Sequence, residues 1–146
     1  MDYTPPKTAD LTLTKLIPAK PDEVYRVWLD PASPGSPWFG AAKVRVEAEV
    51  DGLFYHCVSH EGRDWAHYGR FVALEPGRRI QHTWVSEGTR GLESVLTLTL
   101  EPEGSDTRVT LHHAGVPDDA FGRGHREGWE FVLGAIHQRF TKAAAR

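Results

Sequence analysis

The chain has 146 residues, 40% hydrophobic and 25% charged, the balance of one folded domain and not of a disordered or fibrous chain. A net charge of −3, with Lys and Arg scattered and not gathered in a stripe, leaves no footprint for nucleic acid. Apolar runs too short for a membrane, no leader pattern in Met1–Pro6 and one cysteine, Cys57, with no partner for a disulfide together predict a cytoplasmic protein.

Residues 1–9 read as a loose tail, followed by a single domain over residues 10–143. Alternation predicts a strand from Leu11 to Ile17, stopped by Pro18. Pro21 opens a helix with Asp22 and Glu23 against its dipole, and Val24, Val27 and Trp28 form its apolar face. Asp30-Pro31 ends it, and the turn-rich stretch 32–37 leads to Trp38-Phe39, an expected aromatic plug. Strict alternation then predicts a strand over 43–50, with Val44, Val46, Ala48 and Val50 inward. Asp51-Gly52 signals a hairpin into Leu53–Ser59, and His60–Arg63 turns into a strand over 64–74. Strands over 80–86, 92–100 and 107–113 complete an antiparallel meander. From His125 onward the period becomes helical, with Trp129, Val132, Leu133, Ile136 and Phe140 on one face. A curved antiparallel sheet around that terminal helix buries both apolar faces most simply, an α+β domain of about seven strands with short helices after the first.

Several residues in this order resemble a known family. They are Pro18-Ala19 with Glu23-Val24, Trp28-Leu29-Asp30-Pro31, Trp38-Phe39, Gly69 with Phe71, Thr83-Trp84, Thr107–Leu111, and Gly128-Trp129 with Leu133. The set resembles the activator of heat-shock protein 90 ATPase homologue (AHSA-like) family of the START-like (SRPBCC) superfamily, over about residues 11 to 140. The resemblance implies a helix-grip fold, in which the terminal helix rests across a curved sheet and leaves a cavity. It also marks departures: Asp51-Gly52 stands where relatives often have two glycines, Glu75-Pro76-Gly77 where they often have Pro-Pro, and His56 and His82 where they are often apolar or aromatic.

Alternation assigns the interior. Phe54, His56 and Val58 point inward, His56 lies opposite His67, and Trp65, Gly69 and Phe71 share that face. Ile80, His82 and Trp84 follow, then Leu96, Leu98 and Leu100, then Val109, Leu111 and His113. Gly69 and Gly134 leave gaps that mean either close backbone packing or cavity volume. The candidate ligand-binding set is Trp38, Phe54, His56, Trp65, His67, Phe71, His82, Trp84, His113, Trp129 and Leu133. Its histidines are expected to be individually hydrogen-bonded and neutral, and His60, His112, His125 and His137 to lie at the surface or edge. No carboxylate or thiolate joins them, so neither a metal site nor a catalytic constellation is expected, and no cofactor motif is present. Gly122-Arg123-Gly124 is too weak a loop to cradle phosphate.

The function expected is binding of a small apolar ligand, aromatic or lipid-like, between sheet and helix. An enzyme using the inward histidines and a chaperone-associated module are the alternatives. The second is disfavoured by a charged outer sheet face and the lack of a second domain for a bivalent grip. A homodimer is left open.

Overall fold

The computed structural model describes residue 4 and residues 6–39, 41 and 43–144. Seven antiparallel strands form one sheet in the order β1-β7-β6-β5-β4-β3-β2: β1 Thr8–Ile17, β2 Lys43–Val46, β3 Leu53–His60, β4 Arg63–Glu75, β5 Arg79–Trp84, β6 Ser94–Glu103 and β7 Asp106–Pro117. Helix α1, Pro21–Leu29, follows β1, and helix α2, Ala120–Ala144, closes the chain against the sheet. This is the curved sheet around a terminal helix expected from the strand meander and the period change, and the α+β helix-grip fold that the resemblance implies.

The first strand begins earlier than its alternation suggests. Thr8 and Ala9, assigned above to a tail, pair with Pro117 and Val116; residues 1–3 and 5 of that tail lie outside the described residues. Among the described residues one short helix, not several, precedes β2. It carries Pro21 in its first turn and buries Val24, Val27 and Trp28. Trp38 is buried beneath it, with its Nε1 donating to the Trp28 carbonyl at 2.8 Å. Phe39 is not part of the plug: it is 48% exposed, with Arg139 above its ring.

The strand expected over 43–50 stops at Val46. Glu47 ends it by bonding Leu53 twice: its N–H donates to the Leu53 carbonyl at 2.8 Å, and its Oε1 accepts the Leu53 N–H at 3.2 Å. The chain between them loops outward, so Ala48 and Val50 face solvent, the latter 58% exposed. Asp51 sits at φ 68°, and a Cβ on Gly52 would lie 2.1 Å from the Glu47 carbonyl oxygen, so a side chain here would force the loop open. The Asp51-Gly52 signal therefore closes a wider loop and not a tight hairpin.

The inward assignments for β5, β6 and β7 hold: Ile80, His82, Trp84, Leu96, Leu98, Leu100, Val109, Leu111 and His113 are all buried. With Phe54, Phe71 and the α2 residues Trp129, Leu133 and Ile136 they form the core. Cys57 alternates outward but is nevertheless buried.

Gly69 resolves as close packing. A Cβ there would meet the Thr83 carbonyl oxygen at 1.9 Å, across the irregular pairing of β4 with β5. Gly69→Ala is expected to cost about 1–3 kcal/mol, as overpacking against backbone does. The urea midpoint should fall at constant slope, and an unmoved midpoint would contradict the close approach.

Helix α2 starts at Ala120, before the expected His125. The Asp119 Oδ1 accepts the Gly122 N–H at 3.0 Å, capping the first turn. Gly122 also lets that turn press onto the end of β7, since a Cβ would lie 1.6 Å from the Pro117 carbonyl oxygen. The cap and the close approach offset the poor helix propensity of Gly122 and Gly124, which read as a loop in sequence.

Candidate functional site

Between the first half of α2 and the inner face of β3–β5 lies an open pocket of about 520 Å³. Its walls carry four of the five tryptophans: Trp38, Trp65, Trp84 and Trp129. His56, His67 and His125 complete the aromatic lining, with Val58, Val132 and the rim rings of Phe121 and Phe131. Phe131 is 77% exposed, so the mouth is apolar as well as the wall. Among the described residues, no Asp, Glu, Lys or Arg lines the pocket.

Strand register explains how these rings meet. His56 pairs with His67 across β3 and β4, as alternation predicts, and their rings stack with centroids 5.5 Å apart. His67 stacks in turn on Trp84 at 4.9 Å, and Trp84 meets Trp129 of α2 at a tilt of 59°, with centroids 4.8 Å apart. Trp38 closes the row on the other side, 4.9 Å from His56. Trp65, opposite Val58, carries the Arg63 guanidinium over its outer face.

Of the candidate residues, Trp38, His56, Trp65, His67, Trp84 and Trp129 are brought together around the pocket. Phe54, Phe71, His82, His113 and Leu133 are not: they are buried in the packed layer behind it. Phe54 stacks on His82 at 4.5 Å, filling space that a deeper cavity would need. The sheet–helix interior is thus solid in its middle and open at one end.

His113 belongs to a hydrogen-bond chain with a defined direction. Trp129 Nε1 can only donate, and it lies 3.0 Å from His113 Nδ1, so that nitrogen accepts. The His113 proton therefore sits on Nε2 and is donated to Ser94 Oγ at 2.7 Å, while Ser94 donates to the Trp84 carbonyl at 2.6 Å. Burial, with His125 nearby, pushes the His113 pKa down to about 3. Burial likewise holds His82 at about 4; its Nδ1 donates to the Thr83 carbonyl at 2.9 Å. These two imidazoles are neutral structural groups.

The pocket imidazoles are neutral too. Burial, then the neighbouring His67, lowers His56 to about 4, and burial lowers both His67 and His125. His67 Nδ1 lies 3.2 Å from the His56 carbonyl, and His125 Nδ1 lies 3.2 Å from the carbonyls of Phe121 and Gly122. Among the described residues, two buried side-chain nitrogens have no hydrogen-bond partner: His56 Nδ1 and Trp84 Nε1. Both belong to pocket-lining residues, and buried polar atoms left unpaired are rare in folded chains.

His125 was assigned to the surface, yet it lines the pocket and packs edge-on against His113 at 5.1 Å. Its signal is the spacing to Trp129, one helical turn, which puts both on one face of α2. Among the described residues, no group of three His, Cys, Asp or Glu side chains could hold a metal ion, and no helix is long and apolar enough to cross a membrane.

Residues 18–141 match the family model described as activator of Hsp90 ATPase homolog 1-like protein. No curated protein matches the chain. Among solved structures, protein CV1439 from Chromobacterium violaceum is similar at 26% identity and a TM-score of 0.76, over 90% of this chain and 96% of that one. CalU16 from Micromonospora echinospora is similar at 25% identity and a TM-score of 0.67, over 94% and 87%. A Rhizobium loti protein shares the fold at 22% identity and a TM-score of 0.75, over 92% and 99%. With the model covering the chain from the end of β1 into the last turns of α2, this protein belongs to the activator of Hsp90 ATPase homolog 1-like family.

Proposed function

We propose that this protein binds a small hydrophobic molecule, aromatic or lipid-like, in the tryptophan-walled pocket. The observation that carries the reading is that pocket: about 520 Å³, open at one end, lined by four indoles and no charged side chain. Its volume is in the range of sites that take drug-sized ligands, and sites of that kind are mostly apolar with a few placed polar groups. A fold stabilised only by packing would fill such a space, because unfilled apolar surface forfeits burial and dispersion. The neutral imidazoles serve here as hydrogen-bonding groups. No carboxylate stands beside them to orient a base, so binding without turnover is the simpler reading. A free Cys57 fits a reducing, cytoplasmic setting.

Gly128 provides the test. It lines the pocket, and a Cβ placed on it meets no atom within 4 Å. The Cβ of Gly128→Leu therefore starts in open space beside the pocket, and the change removes a helix-interior glycine, worth about 0.8–1 kcal/mol in propensity. The wild-type chain is expected to bind the neutral dye Nile red at one site, and the variant to bind it about tenfold or more weakly while melting no lower. Equal dye affinity in a folded Gly128→Leu variant would place the dye, and the function, elsewhere.

A further inference from the structure

Helix α2 carries an apolar stripe on its outer surface. Phe121, Gly124, Gly128 and Phe131 recur at spacings of three, four and three residues, which puts them on one line of the helix. The two rings stand about 15 Å apart along the axis, at 1.5 Å per residue. Phe121 is 52% exposed, with the Arg90 guanidinium over one face of its ring, and Phe131 is 77% exposed. Between them, a Cβ on either glycine would meet no atom within 4 Å. All four residues border the pocket, so the stripe is the outer lip of its mouth. Aromatic side chains left in water on one patch mark surfaces where proteins meet.

Charge identifies the partner. The exposed charges of this stretch run Arg123, Arg126, Glu127, Glu130, two cations followed by two anions. If two such helices lie antiparallel with a two-fold axis between Arg126 and Glu127, position 123 meets 130 and position 126 meets 127. Every cation of one copy then faces an anion of the other. Within one residue of that same register, Phe131 of one copy lies over Phe121 of the other, and Gly124 lies against Gly128. The glycines hold no side chain between the helices, so the axes can approach closely and bring the rings together. Within its own chain Arg123 makes a loose, exposed contact with Asp118 at 3.8 Å, of a kind worth little, so it can turn to a partner. A bilayer fits the stripe less well, because Glu127 and Glu130 would be pressed toward lipid phosphates.

We propose that two copies of this chain associate through antiparallel α2 helices, with Phe131 of each against Phe121 of the other and Arg123 paired with Glu130 across the two-fold axis. Phe131 of each copy thereby becomes part of the rim of the other copy's pocket. The association needs no ligand. About three turns of one helix bury less than the roughly 1,200 Å² at which standard interfaces begin, so the dimer is weak, with a Kd on the order of 10 μM.

Sedimentation velocity of the wild-type chain from about 1 to about 300 μM should show monomer giving way to dimer across that range. Phe131→Ser should raise the Kd about tenfold or more, while the melting temperature in dilute solution stays unchanged because the ring is exposed. Arg123→Glu and Glu130→Arg should each stay monomeric where the wild type is half dimeric. An equimolar mixture of those two variants should dimerise, because each pair is remade between unlike copies. A wild-type chain that remains monomeric over the whole range overturns the proposal. If that monomer instead cosediments with phosphatidylcholine vesicles, and Phe131→Ser does not, the stripe faces a membrane and the dimer is again overturned. A dimer that Phe131→Ser leaves unchanged, or mixed charge variants that stay monomeric, would place the interface on another surface and overturn it as well.

Discussion

Trp129→Ala is expected to come close to unfolding the protein. The indole is 3% exposed, and it joins α2 to the sheet through Trp84 at 4.8 Å and to helix α1 through Trp28 at 6.1 Å. Deleting a buried large aromatic costs about 3–5 kcal/mol. The loss of its N–H also strands His113 Nδ1, a buried acceptor, at about 1–3 kcal/mol more. Those two costs together rival the whole stability of an ordinary domain, about 5–15 kcal/mol. Trp129→Phe keeps most of the ring and loses only the donor, so its urea midpoint should lie between those of the wild type and Trp129→Ala. A barely shifted midpoint in Trp129→Ala would mean that the helix is anchored elsewhere along its 129–140 face.

Acid should dismantle the fold through its buried histidines. In the unfolded chain each imidazole titrates near 6.5, whereas in the fold His82 is held at about 4 and His113 at about 3. A depressed histidine contributes its full stability above the unfolded value and loses it as the pH falls toward the folded value. Between pH 6.5 and 4 the unfolded chain takes up protons that these two sites refuse, a loss on the order of 5 kcal/mol. Three neighbouring histidines oppose protonation of His113: His125, His82 and His112. Protonating Nδ1 would also remove the acceptor that Trp129 needs. The melting temperature should be level above about pH 7 and fall steeply below about pH 6, and a melting temperature unchanged down to pH 4.5 would show that these imidazoles are not held neutral by burial.

The residues explain which parts of this molecule could be read in one dimension. Strands β5 to β7 alternate between a packed face and a wet one, so Ile80, His82, Trp84, Leu96, Leu98 and Leu111 declared their direction. The His56–His67 pairing followed from a short turn, and the Glu61-Gly62 corner that makes it has both residues at positive φ. The errors came where tertiary bonds overrode local pattern. Val44 to Val50 alternate without a fault, yet the Glu47 bonds to Leu53 end the strand halfway, something no periodicity encodes. Gly122 and Gly124 argue against a helix, and the Asp119 cap with the close approach to Pro117 overrules them.

The candidate site was legible in part for the same reason. Trp65, Trp84 and Trp129 could be placed inward by period, and the structure puts all three on the pocket wall. Depth could not be read. Alternation says that Phe54, Phe71 and His82 face inward, but only packing tells that they plug the interior instead of lining a cavity. His125 reads as an edge residue because it stands at the expected start of the helix, although its spacing to Trp129 puts it on the inner face.

The indole N–H resonances of the five tryptophans test the central claim most directly. Four of these side chains line the pocket, and Trp28 is buried behind it. On addition of a neutral aromatic ligand such as a naphthol, a two-dimensional nitrogen–proton NMR spectrum should show the Trp84 signal moving. The signals of Trp38, Trp65 and Trp129 should move with it, and that of Trp28 should stay nearly fixed. Saturable shifts confined to residues away from the pocket, or none at any concentration the ligand's solubility allows, would contradict a ligand-binding role for this site.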